Sequence, residues 1–455
     1  MTSATAPPRP RAVLLGVALS GVDESELTSS LDELARLAKT LGFAVVGRVT
    51  QRRDRLDPGA VVGAGKLKEL AEWTGGTGVV PVGPPKAKRR RGDESEDEVE
   101  EETAGDSARP EADRARLVLV DHELTPSQAR NLERATGAEV LDRTAVILAI
   151  FQRHAKSREA RLQVEIARLN YVAPRLREAG GGRDREGGGI GGRGAGESAS
   201  ELDRRKVRDR IAELRAELDA IEREAGVRRK RRAEQNTVAL VGYTNAGKSS
   251  WMRALTGSDV LVQDKLFATL GTTVRALHPP GAMRVLVSDT VGFIKHLPHD
   301  LVASFRSTLE EARESDLLVH LVDASDPAHE AQIAVTREVL AQIGAQEIPR
   351  WVVMNKADRL DEAARARVAA AHPDARLVSA KRPEDVAALR DELLAWFERD
   401  LEQEELVVPY ALARVVAEAH ERGHVLAETH GAEGTRLVVR APREVLARQR
   451  AALDR

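Results

Sequence analysis

The apolar run Val238-Ala239-Leu240-Val241 passes directly into Gly242-Tyr243-Thr244-Asn245-Ala246-Gly247-Lys248-Ser249, and a helical pattern follows from about Ser250. A G-x-x-x-x-G-K-[ST] loop between a buried strand and a helix commits the chain to an α/β arrangement. The loop works by placing backbone N–H groups around phosphate oxygens at the helix N-terminus. Glycines permit close approach, Lys248 offsets the charge of the outer phosphates, and Ser249 supplies a hydroxyl to Mg²⁺. Further apolar segments at Val285–Asp289, Leu317–Val322, Trp351–Met354 and Ala375–Val378 alternate with helical patterns. Residues 236–400 are therefore predicted to form a doubly wound, mostly parallel sheet with the loop at one end.

Two more motifs follow in order. Asp289-Thr290-Val291-Gly292 ends the second strand; a carboxylate there can hold Mg²⁺ through water, and the Gly292 amide can meet a terminal phosphate. Asn355-Lys356-Ala357-Asp358 follows the strand Trp351–Met354 and selects the base. Guanine offers N1–H and N2–H₂ donors that Asp358 can accept as a forked pair, whereas adenine would face it with an acceptor. Each lost charged hydrogen bond costs about 1.5–3 kcal/mol, enough to separate GTP from ATP when doubled. Asn355 is expected to brace the loop and reach the purine N7, and Ser379-Ala380-Lys381 to offer a backbone amide to the base oxygen. Between the first two motifs, Phe267-Ala268-Thr269-Leu270-Gly271 reads as a switch loop, with Thr269 chosen for the second hydroxyl on Mg²⁺; Thr272 and Thr273 are alternatives. Lys248, Thr269 and Gly292 are the expected catalytic contributors. Where many such sites place a water-orienting Gln after the glycine, this chain has Phe293, whose side chain neither donates nor accepts a hydrogen bond. Slow intrinsic turnover completed by a partner is the expectation.

Upstream, apolar segments at 12–19, Ala44–Val49 and Leu117–Val120 with helical patterns between them predict an α/β domain over residues 1–155. It is interrupted by the charge-block insertion 81–110, whose like-charge runs are expected to be disordered. In residues 156–235, near-heptad stripes (Leu162, Ile166, Leu169, Leu176; then Val207, Ile211, Leu214, Leu218, Ile221) flank residues 180–196, of which 10 of 17 are glycine. They predict an antiparallel helical hairpin. Its basic flank, including Arg204 and Arg205, and its Gly/Arg loop with Gly188, Gly189, Gly191 and Arg193 are candidates for contact with RNA phosphates. Residues 401–455 are predicted to be a small α+β appendage. Lys and Arg number 70 against 72 Asp and Glu, a formal charge of -2, which excludes a globally basic nucleic-acid binder. With no cysteine, thiolate zinc sites and cysteine nucleophiles are excluded. No apolar run reaches a membrane span, and a soluble, cytoplasmic monomer is expected. Gly63-Ala64-Gly65-Lys66 is a partial phosphate-loop match without the following hydroxyl; it reads as a turn before a helix rather than an ATP site.

Taken together, residues 242–249, 267–270, 289–294 and 355–358, with His296-Leu297-Pro298-His299-Asp300-Leu301, Pro58–Leu67 and Gly188-Gly189-Ile190-Gly191, resemble the HflX family of ribosome-associated GTPases. The resemblance covers most of the chain. It implies GTP/GDP as ligand, a hairpin that binds rRNA of the large ribosomal subunit near the peptidyl-transferase centre, and GTP-dependent splitting or rescue of stalled or idle ribosomes, with hydrolysis stimulated by the ribosome. GTPases similar at the phosphate loop can use an Asn such as Asn245 to hold K⁺; bracing of the loop by Asn245 is the alternative. The chain departs from the family pattern at 194–201 and at Gly271, where Asp is usual. Rival readings are a large-subunit assembly GTPase and a non-enzymatic ribosome-silencing factor gated by GTP.

Overall fold

A computed structural model of the chain describes residues 9–80, 110–179, 199–232, 235–258, 266–267, 273–280, 284–295 and 306–453. The charged insertion, the glycine loop and residues 268–271 lie outside these. Two compact units divide the chain within one long helix, after Ala220.

The first unit is built on a four-stranded parallel sheet of β1 (Arg11–Ala18), β2 (Ala44–Arg52), β3 (Leu117–Val120) and β4 (Glu139–Asp142), in the order β2-β1-β3-β4. Near-complete burial of β1 and β3 explains their unbroken apolar runs. Helix α1 (Glu24–Leu41) is capped by the Asp23 carboxylate and ends at Gly42 in the left-handed region. Helix α2 (Ala64–Thr74) starts straight after Gly63, and Lys66 is held by Glu69 at 2.5 Å. The Gly63–Lys66 segment is thus a helix start, with its lysine engaged locally. Helix α3 (Pro126–Thr136) opens on a reciprocal capping box between Thr125 and Gln128. Helix α4 (Arg143–His154) carries the apolar stretch Val146–Phe151. Its Arg143 is buried and donates to Asp121 at 2.6 Å, to Ser30 at 3.3 Å and to Glu33.

Helices α5 (Arg158–Ala179) and α6 (Ala199–Arg232) supply the two arms expected of a hairpin. Arg158, at the start of α5, pairs with Glu217 in the second half of α6 at 2.9 Å. Ala160, Val164, Ile166 and Ala167 bury one side of α5, and Ile211 and Leu214 are buried on α6. Arg175 fastens α5 to the sheet domain: it donates to Asp142 at 2.8 Å and to the Leu124 carbonyl at 3.0 Å, and lies over the Tyr171 ring. Because Asp142 also caps α4, the arm and the sheet share one carboxylate.

The second unit holds a six-stranded sheet: β5 (Asn236–Gly242), β6 (Thr273–Ala276), β7 (Val285–Asp289), β8 (Leu317–Asp323), β9 (Arg350–Asn355) and β10 (Arg376–Leu377), in the order β10-β9-β8-β5-β7-β6. All pairs are parallel except β6 with β7. Helices α7 (Lys248–Thr256), α8 (Arg306–Arg313), α9 (His329–Gln342), α10 (Glu362–Ala371) and α11 (Pro383–Glu398) alternate with the strands. One face of the sheet packs Val238, Leu240, Val319, Leu321 and Val353 against Trp251, Met252 and Leu255 of α7 and Leu389 and Leu393 of α11. From β5 the chain passes to the β6 and β7 side, and from β7 it crosses to β8 on the other side of β5, so the carboxyl end of β5 lies at the switch point where such sheets bind ligands.

An antiparallel three-stranded sheet, β11 (Leu401–Val408), β12 (His424–Gly431) and β13 (Gly434–Pro442), follows, ordered β11-β13-β12. Helices α12 (Ala413–Arg422) and α13 (Arg443–Leu453) cover its apolar face around Leu406, Val415, Leu437 and Leu446. Among the described residues, no helix is long and apolar enough to cross a membrane.

Arg143→Ala leaves two buried carboxylates facing one another without their cation, a change that typically costs about 3–5 kcal/mol. The first unit's unfolding transition, followed by hydrogen exchange of the β1 and β3 amides in urea, is expected to move to lower denaturant by a corresponding amount.

Candidate nucleotide-binding site

The parallel register brings the motifs to one edge. Leu240 is level with Asp289, Gly242 with Leu321, and Asp323 with Asn355, while β10 delivers Ser379 just beyond Leu377. Five strand ends spread across the sequence thus open onto one rim, an adjacency the linear order does not contain.

At the centre, β5 turns into the phosphate loop. Asn245 adopts φ of 62° and Gly247 φ of 101°, and α7 begins at Lys248 without a side-chain cap, two residues earlier than the helical pattern suggested. The first-turn N–H groups of α7 therefore point to the rim, where an anion can satisfy them. Gly247 is required twice over. Its backbone is left-handed, and a Cβ there would stand 2.2 Å from Nδ2 of Asn355. That amide donates to the Ala246 carbonyl at 2.7 Å, so Asn355 braces the phosphate loop from β9. Asn245 itself is exposed. Asn355 also accepts through Oδ1 from the Ala380 amide at 3.3 Å, joining the phosphate loop, the Asn355–Asp358 motif and the Ser379–Lys381 segment.

Lys248 is buried and donates to the carbonyls of Gly242 at 3.0 Å and Tyr243 at 2.9 Å. Burial pushes its pKa down to about 8, against the opposing pull of Asp289. Ser249 Oγ donates to Asp289 Oδ2 at 2.8 Å. A hydroxyl and a carboxylate so close together are hard oxygen donors, a set that fits Mg²⁺. The second motif is laced to the first through its backbone: Thr244 N–H donates to the Phe293 carbonyl at 2.7 Å, and Phe293 N–H to that of Gly242 at 3.1 Å. Thr290 is fully buried, its hydroxyl donating to the Leu240 carbonyl at 2.8 Å. Val291 is likewise buried. Gly292 lies so near the loop that a Cβ would meet Thr244 Cα at 2.9 Å and Lys248 Nζ at 3.1 Å. Phe293 packs inward, 1% exposed, so the residue after the glycine serves the core and not water.

The base-reading end is equally organised. Asp358 Oδ1 accepts from Ser379 Oγ at 2.7 Å and Oδ2 from Lys381 Nζ at 3.1 Å. The Ser379 hydroxyl, then Lys381, hold this carboxyl below the usual range although partial burial opposes them, keeping it an acceptor. Lys356 adopts φ of 64° and donates to Asp323 Oδ2 at 2.6 Å; Ala357 is buried behind it.

Of the switch segment only Phe267 is described, buried with φ of 57°; Ala268, Thr269, Leu270 and Gly271 lie outside the described residues. So do Gly188, Gly189, Gly191 and Arg193. On α6, Arg204 is half-buried and Arg205 exposed, while Lys206 and Arg210 are paired with Asp203 and Glu213. Three residues near the motifs carry no mark in the motif spacing. Asp323, the partner of Lys356, was signalled by Asp-Ala-Ser-Asp-Pro at the end of β8. Asp385 accepts from the Ser379 amide at 2.7 Å and had no such signal. His320 sits inside β8 with both ring nitrogens buried and without hydrogen-bond partners among the described residues. Burial, with Arg350, Arg337 and Lys248 adding to it, pushes its pKa down to about 3, so it is neutral.

A phosphate loop at the switch point of a doubly wound sheet, beside an acidic strand end and a carboxylate fork for guanine, defines a P-loop GTPase. Comparison with known proteins agrees. Residues 237–356 match a family described as "50S ribosome-binding GTPase", residues 154–232 "GTP-binding GTPase Middle Region", and residues 28–81 and 99–152 "GTP-binding GTPase N-terminal". The GTPase HflX of Gluconacetobacter diazotrophicus is 58% identical over 96% of both chains, and that of Caldanaerobacter subterraneus 40% identical over 93% of this chain and 89% of its own. A GTP-binding protein of Sulfolobus solfataricus, solved with GDP, aligns with 85% of this chain and 99% of its own at 22% identity and a TM-score of 0.41. The chain belongs to the HflX family of GTPases.

Two outcomes are expected. With Lys248 at about 8 in the absence of nucleotide, phosphates that favour the ammonium form should make binding take up protons above that pH. GDP binding should be free of proton exchange from Lys248 at pH 7, take up close to one proton per site at about pH 9, and weaken as pH rises between them. Calorimetry in buffers of different ionisation enthalpy measures this. Asp358→Asn should lower GDP affinity by about 1.5–3 kcal/mol or more and improve xanthosine diphosphate, whose C2 carbonyl can accept from the new amide.

Proposed function

We propose that the chain is a GTP-hydrolysing factor of the large ribosomal subunit, which splits or rescues stalled or idle ribosomes and hydrolyses GTP fully only when bound there. One observation carries the reading: among the described residues, the converged nucleotide motifs include no side chain placed to orient an attacking water. The phosphate loop, the Asp289 strand end and the guanine fork converge, yet Phe293 is buried in the core with its backbone committed to Gly242 and Thr244. Such a site holds GTP well and turns it over slowly until a partner aligns the water. The family description of residues 237–356 names the 50S subunit, which supports the choice of partner.

The residues divide the work. Amides of the loop and of the first turn of α7 cradle the phosphates, and Lys248 swings its ammonium from its own carbonyls toward the outer phosphate oxygens. Gly292 brings an amide beside Lys248, where a terminal phosphate changes the hydrogen bonding of the segment that follows Asp289. Ser249 and Asp289, the latter through water, would hold Mg²⁺, with Thr269 adding a second hydroxyl. When bound, the ion neutralises charge on the outer phosphates. Asn355 and Asp358 orient guanine. The exposed Asn245 is, on this reading, the K⁺ ligand. On this reading the hairpin tip (Gly188, Gly189, Gly191, Arg193) and the α6 residues Arg204 and Arg205 meet rRNA. Anchoring of α5 by Arg175 and Asp142 would hold that arm firmly to its sheet.

GTP hydrolysis by the full chain, alone and with purified large subunits, tests the proposal, with Lys248→Ala as the blank. Stimulation of at least about a hundredfold is expected, with a faster rate in K⁺ than in Na⁺. Unchanged turnover with subunits would remove the ribosomal reading, and equal rates in the two salts the K⁺ assignment.

A further inference from the structure

Away from the nucleotide rim, the second unit gathers two histidines and a glutamate that no part of the GTPase reading uses. His329 and Glu330 are the first two residues of α9, and His372 is the C-cap residue of α10. One potential ligand atom from each lies within 4.8 Å of the others, the one such constellation among the described residues. We propose that these three side chains form a binding site for a divalent transition-metal ion of the zinc class.

The spacing supports a shared ion. Ligands held about 2.0–2.1 Å from tetrahedral Zn²⁺ stand roughly 3.3 Å apart. Here Oε1 of Glu330 is 2.9 Å from Nε2 of His372 and 3.8 Å from Nε2 of His329, which brackets that value. The 2.9 Å approach lacks the alignment of a hydrogen bond, since Nε2 of His372 is buried and makes none among the described residues. The histidine rings do not stack but cross at 66° with centroids 5.9 Å apart, as rings converging on one point do.

One ring nitrogen is already committed. Nδ1 of His329 lies 2.8 Å from the Asp326 carbonyl, an acceptor only, so Nδ1 carries a proton and Nε2, on the Glu330 side, is the nitrogen an ion would take. A backbone carbonyl orienting the far nitrogen is the usual support of a metal-binding histidine. Both histidine side chains are mostly sheltered, at 20% and 18% exposure, while Glu330 is 66% exposed, leaving a position open to water or an exogenous ligand. Two imidazoles and one carboxylate select Zn²⁺, Ni²⁺ or Cu²⁺ over Mg²⁺, which distinguishes this site from the hard oxygen donors at Ser249 and Asp289.

Its position gives the site a consequence. Helix α9 follows the turn whose Asp323 holds Lys356, and α10 follows the Asn355–Asp358 loop. An ion joining the start of one helix to the end of the other ties together the two segments that leave the guanine-reading strand ends, and should raise the stability of the second unit.

The test uses the full chain, stripped with chelator and dialysed against Zn²⁺ alone, or titrated with Co²⁺ as a spectroscopic probe. One tightly held Zn²⁺ per chain, visible-region Co²⁺ bands of a four- or five-coordinate site, and a Zn²⁺-dependent rise in melting temperature are expected. His329→Ala/His372→Ala should abolish the bands and weaken Zn²⁺ binding by about tenfold or more while leaving GDP binding intact. Glu330→Gln, an isosteric change that keeps the fold if the double variant does not, should weaken binding in the same direction. His420 and His430, which flank Glu428 on β12, are the internal control: their joint replacement by Ala should leave the stoichiometry unchanged. Absent bands, bands that survive loss of both His329 and His372, or binding abolished by the control variant would each overturn the site and leave a histidine–carboxylate ion pair.

Discussion

The nucleotide site depends on the backbone seam between the phosphate loop and the end of β7. Hydrogen bonds from Thr244 to Phe293 and from Phe293 to Gly242 extend the pairing of β5 and β7 past the point where the strands formally end. This places the Gly292 amide beside the Lys248 ammonium and leaves no space for any residue but glycine. On the proposed reading, a group at the outer phosphate position would touch both segments at once. A side chain at 292 would push the seam apart, and an unburied Phe293 would loosen it from the core.

A second set of bonds makes the base-reading end continuous with the phosphate end. Asn355 reaches from β9 to Ala246 on one side and takes the Ala380 amide on the other. Asp358 is poised by Ser379, which is itself positioned by Asp385. Guanine recognition and phosphate recognition are thus mechanically one object, although their residues lie more than a hundred positions apart. The same economy appears in the first unit, where Asp142 caps α4 and anchors α5 through Arg175. Because an uncompensated buried carboxylate is expensive, such shared acids resist replacement more than an exposed pair does.

Much of this was legible from residues alone. The long apolar runs of β1, β3, β5, β7 and β8 are buried on both faces, and that burial is what an unbroken run of Val and Leu signals. The three nucleotide motifs carry their chemistry in short contiguous stretches, so spacing sufficed. Other strands were not legible. Strand β4 begins and ends with an acid, β6 is a four-residue edge, and β12 runs through His, Glu and Thr with most of its residues exposed. Pairing with neighbours, and not periodic burial, makes them strands, and pairing is a long-range fact.

The class of ligand is written in the residues alone: the loop needs its glycines and Lys248, and the fork needs the Asp358 carboxylate, whatever surrounds them. Which residues serve as supports follows from packing and strand register. Asn355 braces the loop because the left-handed Gly247 clears its path; Lys356 is held by Asp323 because β8 and β9 pair in register; Lys248 is depressed toward neutrality because the sheet buries it. The meeting of His329 and Glu330 with His372 belongs to the same category. Those positions lie far apart along the chain, and two helices set down side by side on adjacent strands bring them within reach of one ion.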